Sequence, residues 1–88
     1  MCRNIKVLAN FDPPATDDEI RDAALQFVRK LSGTQHPSRA NEEVFHRAVE
    51  EVTAASGRLL RSLVTTAPPR DRDREAEKAK ARARRRFG

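Results

Sequence analysis

The side chains best suited to bind a ligand lie at the C-terminal end of the chain, where basic residues are concentrated. The segment from Lys78 to Arg86 contains six basic residues and no acidic residue. Four of the six are arginines, whose planar guanidinium groups bind phosphate through paired hydrogen bonds. This composition predicts a nucleic-acid-binding site formed by Lys78, Lys80, Arg82, Arg84, Arg85 and Arg86.

The spacing of these basic residues indicates which nucleic acid they would bind. On an α-helix they would occupy most of the circumference, which suits phosphates on several sides of a folded RNA better than a flat DNA groove. The alternative is that they only complement the helix dipole and form a solvated or protein-contacting tail. A membrane partner is not expected, because only Phe87 accompanies the alanines on the uncharged face.

One cysteine and two histidines form a second set of reactive side chains, but their spacing is not typical of a site. Cys2 would become an N-terminal nucleophile or chelating group if Met1 were removed, and Arg3 would favour its thiolate. With His36 and His46 it would supply three zinc ligands, yet the sequence has no C-x-x-C or H-x-x-H spacing. We therefore predict no catalytic residues, no metal site and no cofactor.

The size and composition of the chain argue against an enzyme. It has 88 residues, of which 38% are hydrophobic, with no Trp or Tyr. Such a chain buries a small core and has little material for the deep pocket that most enzymes need. No apolar run approaches the length of a membrane span, and the single cysteine with no recognisable export signal predicts a cytoplasmic protein.

The net charge of +5 comes from one end of the chain. Residues 1–69 carry nine basic and nine acidic residues, whereas residues 70–88 carry nine basic and four acidic residues. Pro68 and Pro69 separate the two parts and disfavour a continuous helix. We therefore predict a small helical domain over residues 1–67 and a basic helical tail over residues 68–88.

The elements that would position these residues are helices. Thr16 and Glu19 form a capping box before apolar residues at helical spacing, and Gly33 is a typical helix terminator, so a helix is predicted over 17–32. A second apolar stripe predicts a helix over about 41–65, capped by Ser38 or Asn41. The apolar stripes are Ile20, Ala23, Ala24, Phe27, Val28 and Leu31 in the first helix and Phe45, Ala48, Val49, Val52, Ala55, Leu59, Leu60 and Leu63 in the second.

The short loop between these two helices predicts an antiparallel helical hairpin. Ile5, Val7, Leu8 and Phe11 would form a short N-terminal arm, helical or extended, over the flank that the hairpin leaves open. A third helix is predicted after Pro69, capped by Asp71 or Asp73, with acids at its start and bases at its end. The predicted fold is therefore all-α.

Several motifs resemble a short bacterial family known as domain of unknown function 2277. They are the opening MCRNIK, the segments PPAT..EI..AALQFVRKLSG and PS.AN...F..AV, and the ending APPR…RFG. The resemblance extends over essentially the whole chain. It implies a bacterial cytosolic protein but does not imply an activity.

A weaker resemblance connects the two predicted helices to J-domains, which stimulate seventy-kilodalton chaperones. The segments VLANFDPPATDDEIRDAAL and HPSRANEEVFHRAVEEV are similar to the J-domain helices and the loop between them. The J-domain loop carries His-Pro-Asp, whereas this chain has His36, Pro37 and Ser38 and so lacks the carboxylate. The resemblance implies a J-domain-like helical hairpin.

Together these patterns predict a small non-enzymatic protein that binds RNA or the ribosome through its basic C-terminal helix. The alternative prediction is a protein-interaction adaptor or homo-oligomer, in which the open flank of the hairpin and an alanine stripe pack on another helix. That stripe consists of Ala76, Ala79, Ala83 and Phe87.

Overall fold

The protein is mostly helical, with three α-helices and one small parallel sheet. The structure, a computed structural model, describes the backbone of residues 5–87 and the side chains of residues 5–85. The prediction of a helical fold is confirmed, whereas the sheet was not predicted. In chain order the elements are β1 (Phe11–Asp12), α1 (Asp17–Ser32), a 3₁₀ turn (Arg39–Asn41), α2 (Glu42–Ser62), β2 (Arg70–Asp71) and α3 (Arg72–Phe87).

Helix α1 begins and ends at the residues that the sequence predicts. The amide of Glu19 donates to the Thr16 hydroxyl at 3.2 Å, and the amide of Thr16 donates to the Glu19 carboxylate at 2.9 Å. Gly33 ends the helix with a φ of 72°, a left-handed conformation that glycine adopts without steric cost. Local signals alone therefore set both ends of this helix.

Helix α2 is shorter than predicted at its C-terminal end. It ends at Ser62, because Leu63 adopts an extended conformation with ψ of 135°. Leu63 and Val64 are 52% and 95% exposed, so the packing that would reward three more helical residues is missing. At the other end Asn41, one of the two predicted caps, occupies the N-cap position of α2, and Ser38 precedes the 3₁₀ turn. Neither side chain accepts from a backbone amide; the Asn41 side-chain amide donates to the Ser38 hydroxyl at 3.0 Å instead.

The hydrophobic core lies between α1 and α2. Val28 from α1 packs with Phe45 and Val49 from α2, and all three are buried. Ile20 and Ala24 are buried on the same face of α1. Burial of a large apolar side chain contributes about 1.5–3 kcal/mol. This cluster is therefore the main source of stability for the two helices.

A two-residue parallel sheet joins the N-terminal segment to the segment before α3. Phe11 pairs with Arg70 and Asp12 with Asp71, and the Arg70 amide donates to the Asn10 carbonyl at 2.7 Å. Asn10 has a φ of 62°, which asparagine tolerates better than most residues, and its side-chain amide donates to the Pro68 carbonyl at 3.1 Å. Residues 5–8 of the N-terminal arm form neither helix nor strand, and Leu8 and Phe11 line a cleft with α3.

Helix α3 starts immediately after this sheet. The Asp71 carboxylate accepts from the Arg74 amide at 2.9 Å, so Asp71 is the cap, as one of the two predicted alternatives states. Residues 70–72 therefore contact the N-terminal part of the chain, and the proposed domain boundary at residue 67 remains a prediction. None of the helices in the described residues is both long and apolar enough to cross a membrane.

Candidate nucleic-acid interface

The predicted basic residues all lie on α3, and the described ones are exposed. Lys78, Lys80, Arg82, Arg84 and Arg85 all have exposed side chains. The backbone of Arg86 continues the same helix, but its side chain lies outside the described ones. The helix thus places five described cations within three turns, where solvent and ligands reach them.

Helical spacing divides these cations between two faces. Lys78, Arg82 and Arg85 follow an i, i+4, i+7 pattern and share one face. Lys80 and Arg84 are four residues apart and share another. Ala79 and Ala83 lie between the two faces on the helix surface, so positive charge flanks an uncharged strip on both sides.

The acidic residues of α3 neutralise little of this charge. Lys78 lies 3.7 Å from Glu75, one turn back, in an exposed ion pair of the kind that contributes about 0–1 kcal/mol. Among the described side chains, no acidic group lies within ion-pair distance of Lys80, Arg82, Arg84 or Arg85. These four cations therefore keep their charge available for an anionic ligand.

Arg72, the first residue of α3, attaches the helix to the N-terminal part of the chain. Its guanidinium donates to both carboxylate oxygens of Glu19, at 2.7 and 3.1 Å. It also donates to the carbonyls of Pro13 at 2.7 Å and Pro14 at 3.1 Å. This bidentate arrangement fixes an arginine far more tightly than a single ion pair does. The anchor therefore fixes the first turn of the basic helix.

Glu19 serves the cap of α1 and the anchor of α3 at the same time. The Arg72 guanidinium, helped by the Thr16 amide, lowers the pKa of the Glu19 carboxyl from 4.5 to about 2. In return, the Glu19 carboxylate raises the pKa of Arg72. Both groups are therefore charged at neutral pH, and the anchor persists throughout the physiological range.

Arg70 is held beside the anchor by an aromatic ring. Its guanidinium carbon lies 5.7 Å from the centre of the Phe11 ring, and that of Arg72 lies 5.9 Å from the same centre. Such cation–π contacts contribute about 0.5–1 kcal/mol at exposed sites. Unlike Arg72, Arg70 is exposed and forms no ion pair with a carboxylate among the described residues. Its planar group is therefore oriented and open to solvent.

The other candidate residues do not come together at this interface. His36 lies in the loop before the 3₁₀ turn, and His46 lies on α2 with an exposed side chain. Cys2 lies outside the described residues. Among residues 5–85, no three His, Cys, Asp or Glu side chains are arranged to hold a metal ion.

A separate apolar groove of about 790 Å³ opens between the end of α1 and the start of α2. Phe27, Leu31 and Val44 lie along it and are 44%, 76% and 63% exposed. Phe27 and Leu31 belong to the predicted apolar stripe of α1. Two helices cannot cover both flanks of each stripe, which explains why these residues remain exposed.

The sequence interpretation missed Arg70, Arg72 and Glu19 as members of this region. Arg72 belongs to an alternating run of acids and bases that is typical of a solvated helix start. Glu19 is explained fully by its capping box. The pairing of β1 with β2 places Arg72 near the start of α1, and a two-residue strand leaves no periodic signal in a sequence.

Comparison with known proteins identifies a family. The chain matches the family described as "Uncharacterized conserved protein (DUF2277)" over residues 1–78, and it belongs to that family. No curated protein and no solved structure matches the chain. The matched region contains the Arg72–Glu19 anchor and ends at Lys78, so the other five predicted binding residues lie beyond it.

Proposed function

We propose that this member of the DUF2277 family is a small non-enzymatic protein that binds RNA, free or in the ribosome, through helix α3. The observation that carries the proposal is the exposed, unneutralised charge of Lys80, Arg82, Arg84 and Arg85 on one continuous helix. Phosphate contacts supply essentially all of the affinity in non-specific binding of nucleic acids, and exposed arginines are well suited to make them.

The anchor at the start of α3 supports this proposal. A basic segment that is disordered when free loses conformational entropy on binding, whereas an already ordered segment loses less. Arg72 and Asp71 order the first turn of α3, so the cations that follow are presented in a defined direction. The N-terminal part of the chain then acts as the support for the binding helix.

The distribution of charge favours folded RNA as the ligand. Two basic faces contact phosphates on two sides, as the walls of a bent or looped RNA present them. The single cysteine is compatible with the reducing cytoplasm, where such RNA is abundant, and we place the protein there.

A charge-matched pair of variants tests the proposal. The double variant Arg84→Gln, Arg85→Gln removes two cations from α3, whereas Arg39→Gln, Arg58→Gln removes two exposed cations elsewhere. Fluorescence anisotropy with a labelled RNA hairpin, measured over a series of salt concentrations, gives the affinity and the number of phosphates contacted. We expect the α3 variant to reduce the slope of log affinity against log salt by about 0.9 for each lost contact with paired RNA. Equal slopes for the two double variants would contradict the proposal.

The exposed groove between α1 and α2 favours a second candidate function, self-association. Val28 packs with Phe45, and Arg21 forms a 2.6 Å ion pair with Glu50, so later residues of α1 meet earlier residues of α2. We infer from this order an antiparallel helical hairpin, similar to that of a J-domain. Its groove would receive the same apolar face of a second copy.

Light scattering on a size-exclusion column tests this candidate. Self-association through the groove predicts a dimer mass that reverts to the monomer mass in Leu31→Ser. The control Leu59→Ser replaces an exposed leucine of α2 that lies outside the groove. A monomer mass for the unchanged protein at high concentration would exclude the candidate.

A further inference from the structure

A cleft of about 470 Å³ lies between the N-terminal segment and α3. Its apolar wall includes Leu8 from the N-terminal segment and Ala76 and Ala79 from α3. The cations Lys6, Arg70 and Arg82 line the same cleft, and all three have exposed side chains. Apolar and cationic groups therefore meet in one concave site of a size that suits a small ligand or a single nucleotide.

The acids of the cleft do not neutralise these cations. Glu19 forms an ion pair with Arg72 at 2.7 Å, so the charges of these two side chains offset each other. Glu75 is the other acid that lines the cleft, and Lys78 lies 3.7 Å from it. Lys6, Arg70 and Arg82 thus leave the cleft positive, and it favours an anionic ligand that also has an apolar surface.

Arg70 provides a planar surface at this cleft. Its guanidinium is held over the Phe11 ring at 5.7 Å, and the side chain is exposed to solvent. Bases of unpaired RNA stack readily on arginine guanidinium planes, whereas bases inside a duplex are not free to do so. The exposed guanidinium plane of Arg70 is therefore available to stack with one unpaired base.

We propose that this cleft binds one unpaired nucleotide of the RNA held by α3, an inference that rests on the proposed function. The base would stack on Arg70 beside Leu8 and Ala79, and the phosphate would lie near Lys6 and Arg82. Helix α3 then supplies affinity for the phosphate backbone, and the cleft supplies a preference for RNA with a bulge or a loop.

A variant with a larger side chain in the wall of the cleft tests the inference. Ala79→Leu fills the wall of the cleft, whereas Ala83→Leu adds the same side chain one turn later, at an exposed position outside the cleft. The probes are an RNA hairpin with a single-nucleotide bulge and the same hairpin without it, compared by fluorescence anisotropy. We expect the unchanged protein and Ala83→Leu to prefer the bulged probe by at least about fivefold, as one stacked base would give. Ala79→Leu is expected to lose this preference and to keep its affinity for the unbulged probe.

A second variant distinguishes stacking from charge. Arg70→Lys keeps the positive charge but has no planar group, so we expect it to lose the preference for the bulged probe as well. Circular dichroism melting confirms that each variant is folded. A preference that survives both Ala79→Leu and Arg70→Lys, or one that Ala83→Leu removes equally, would overturn the inference and leave the α3 proposal intact. If the unchanged protein binds neither probe, the proposed function fails and this inference fails with it.

Discussion

The pairing of α1 with α2 and the attachment of α3 depend on different physical interactions. Helices α1 and α2 are joined by buried apolar side chains, chiefly Val28, Phe45 and Val49. Helix α3 is attached at its first residue, where Arg72 contacts a carboxylate and two carbonyls. Apolar burial does not depend on side-chain charge, whereas a partly exposed ion pair is screened by salt and is lost when acid protonates its carboxylate. Salt and strong acid are therefore expected to weaken the attachment of α3 more than the packing of α1 against α2.

The largest expected effect comes from removing an apolar contact between α1 and α2. Phe45→Ala should lower the free energy of unfolding by about 3–5 kcal/mol, because it removes a buried ring and leaves a cavity. That loss is comparable to the whole stability of many small domains. The control Leu31→Ala should change it by no more than about 0.5 kcal/mol, because Leu31 is largely exposed. Urea unfolding followed by circular dichroism measures both, and similar losses in the two variants would contradict the assigned core.

An intermediate effect tests the attachment of α3. Arg72→Lys keeps the charge but cannot make the bidentate contact with Glu19, so the first turns of α3 should open more often. Amide hydrogen exchange over residues 74–80 should become several-fold faster, while exchange in α2 stays unchanged. Arg74→Lys is the matched control, since Arg74 is an exposed neighbour in the same turn. Equal exchange in the two variants would show that the anchor does not order the helix.

The smallest expected effect is a faster amide exchange at the start of α3 at acidic pH. The pKa of Glu19 is lowered from 4.5 to about 2 in the folded protein, so its contribution is fully present above about pH 4.5 and is lost as the pH falls towards 2. Exchange over residues 74–80, corrected for its intrinsic pH dependence, should accelerate across this window. In Glu19→Gln the acid-dependent acceleration should be absent, because no charge remains to be titrated. A wild-type acceleration retained in Glu19→Gln would assign the transition to other carboxylates.

The same comparison separates what the sequence predicts from what it does not. Both ends of α1 follow from neighbouring residues, Thr16, Glu19 and Gly33, so they are predictable without knowledge of the fold. The end of α2 at Ser62 instead of residue 65 depends on whether Leu63 has a packing partner, which no local pattern records.

The candidate site likewise has one part that the sequence predicts and one part that it does not. The basic residues of α3 are visible as a run in the sequence, and the structure confirms that they lie on a helix, although their binding of RNA remains a proposal. The contact of Arg72 with Glu19 joins residues 53 positions apart, and Arg72 directly follows β2, the strand that pairs with β1. Long-range polar contacts of this kind have no periodicity, so inspection of a single sequence does not reveal them.

Glu19 links the two parts of the molecule through one side chain. The oxygen that accepts from the Thr16 amide at 2.9 Å also accepts from Arg72 at 2.7 Å. We therefore expect a change that stabilises the contact of Arg72 with Glu19 to stabilise the first turn of α1 as well, and reciprocity requires the same coupling in the reverse direction. An RNA that stabilises α3, as proposed, is therefore expected to slow the opening of the Thr16 amide, which it does not contact.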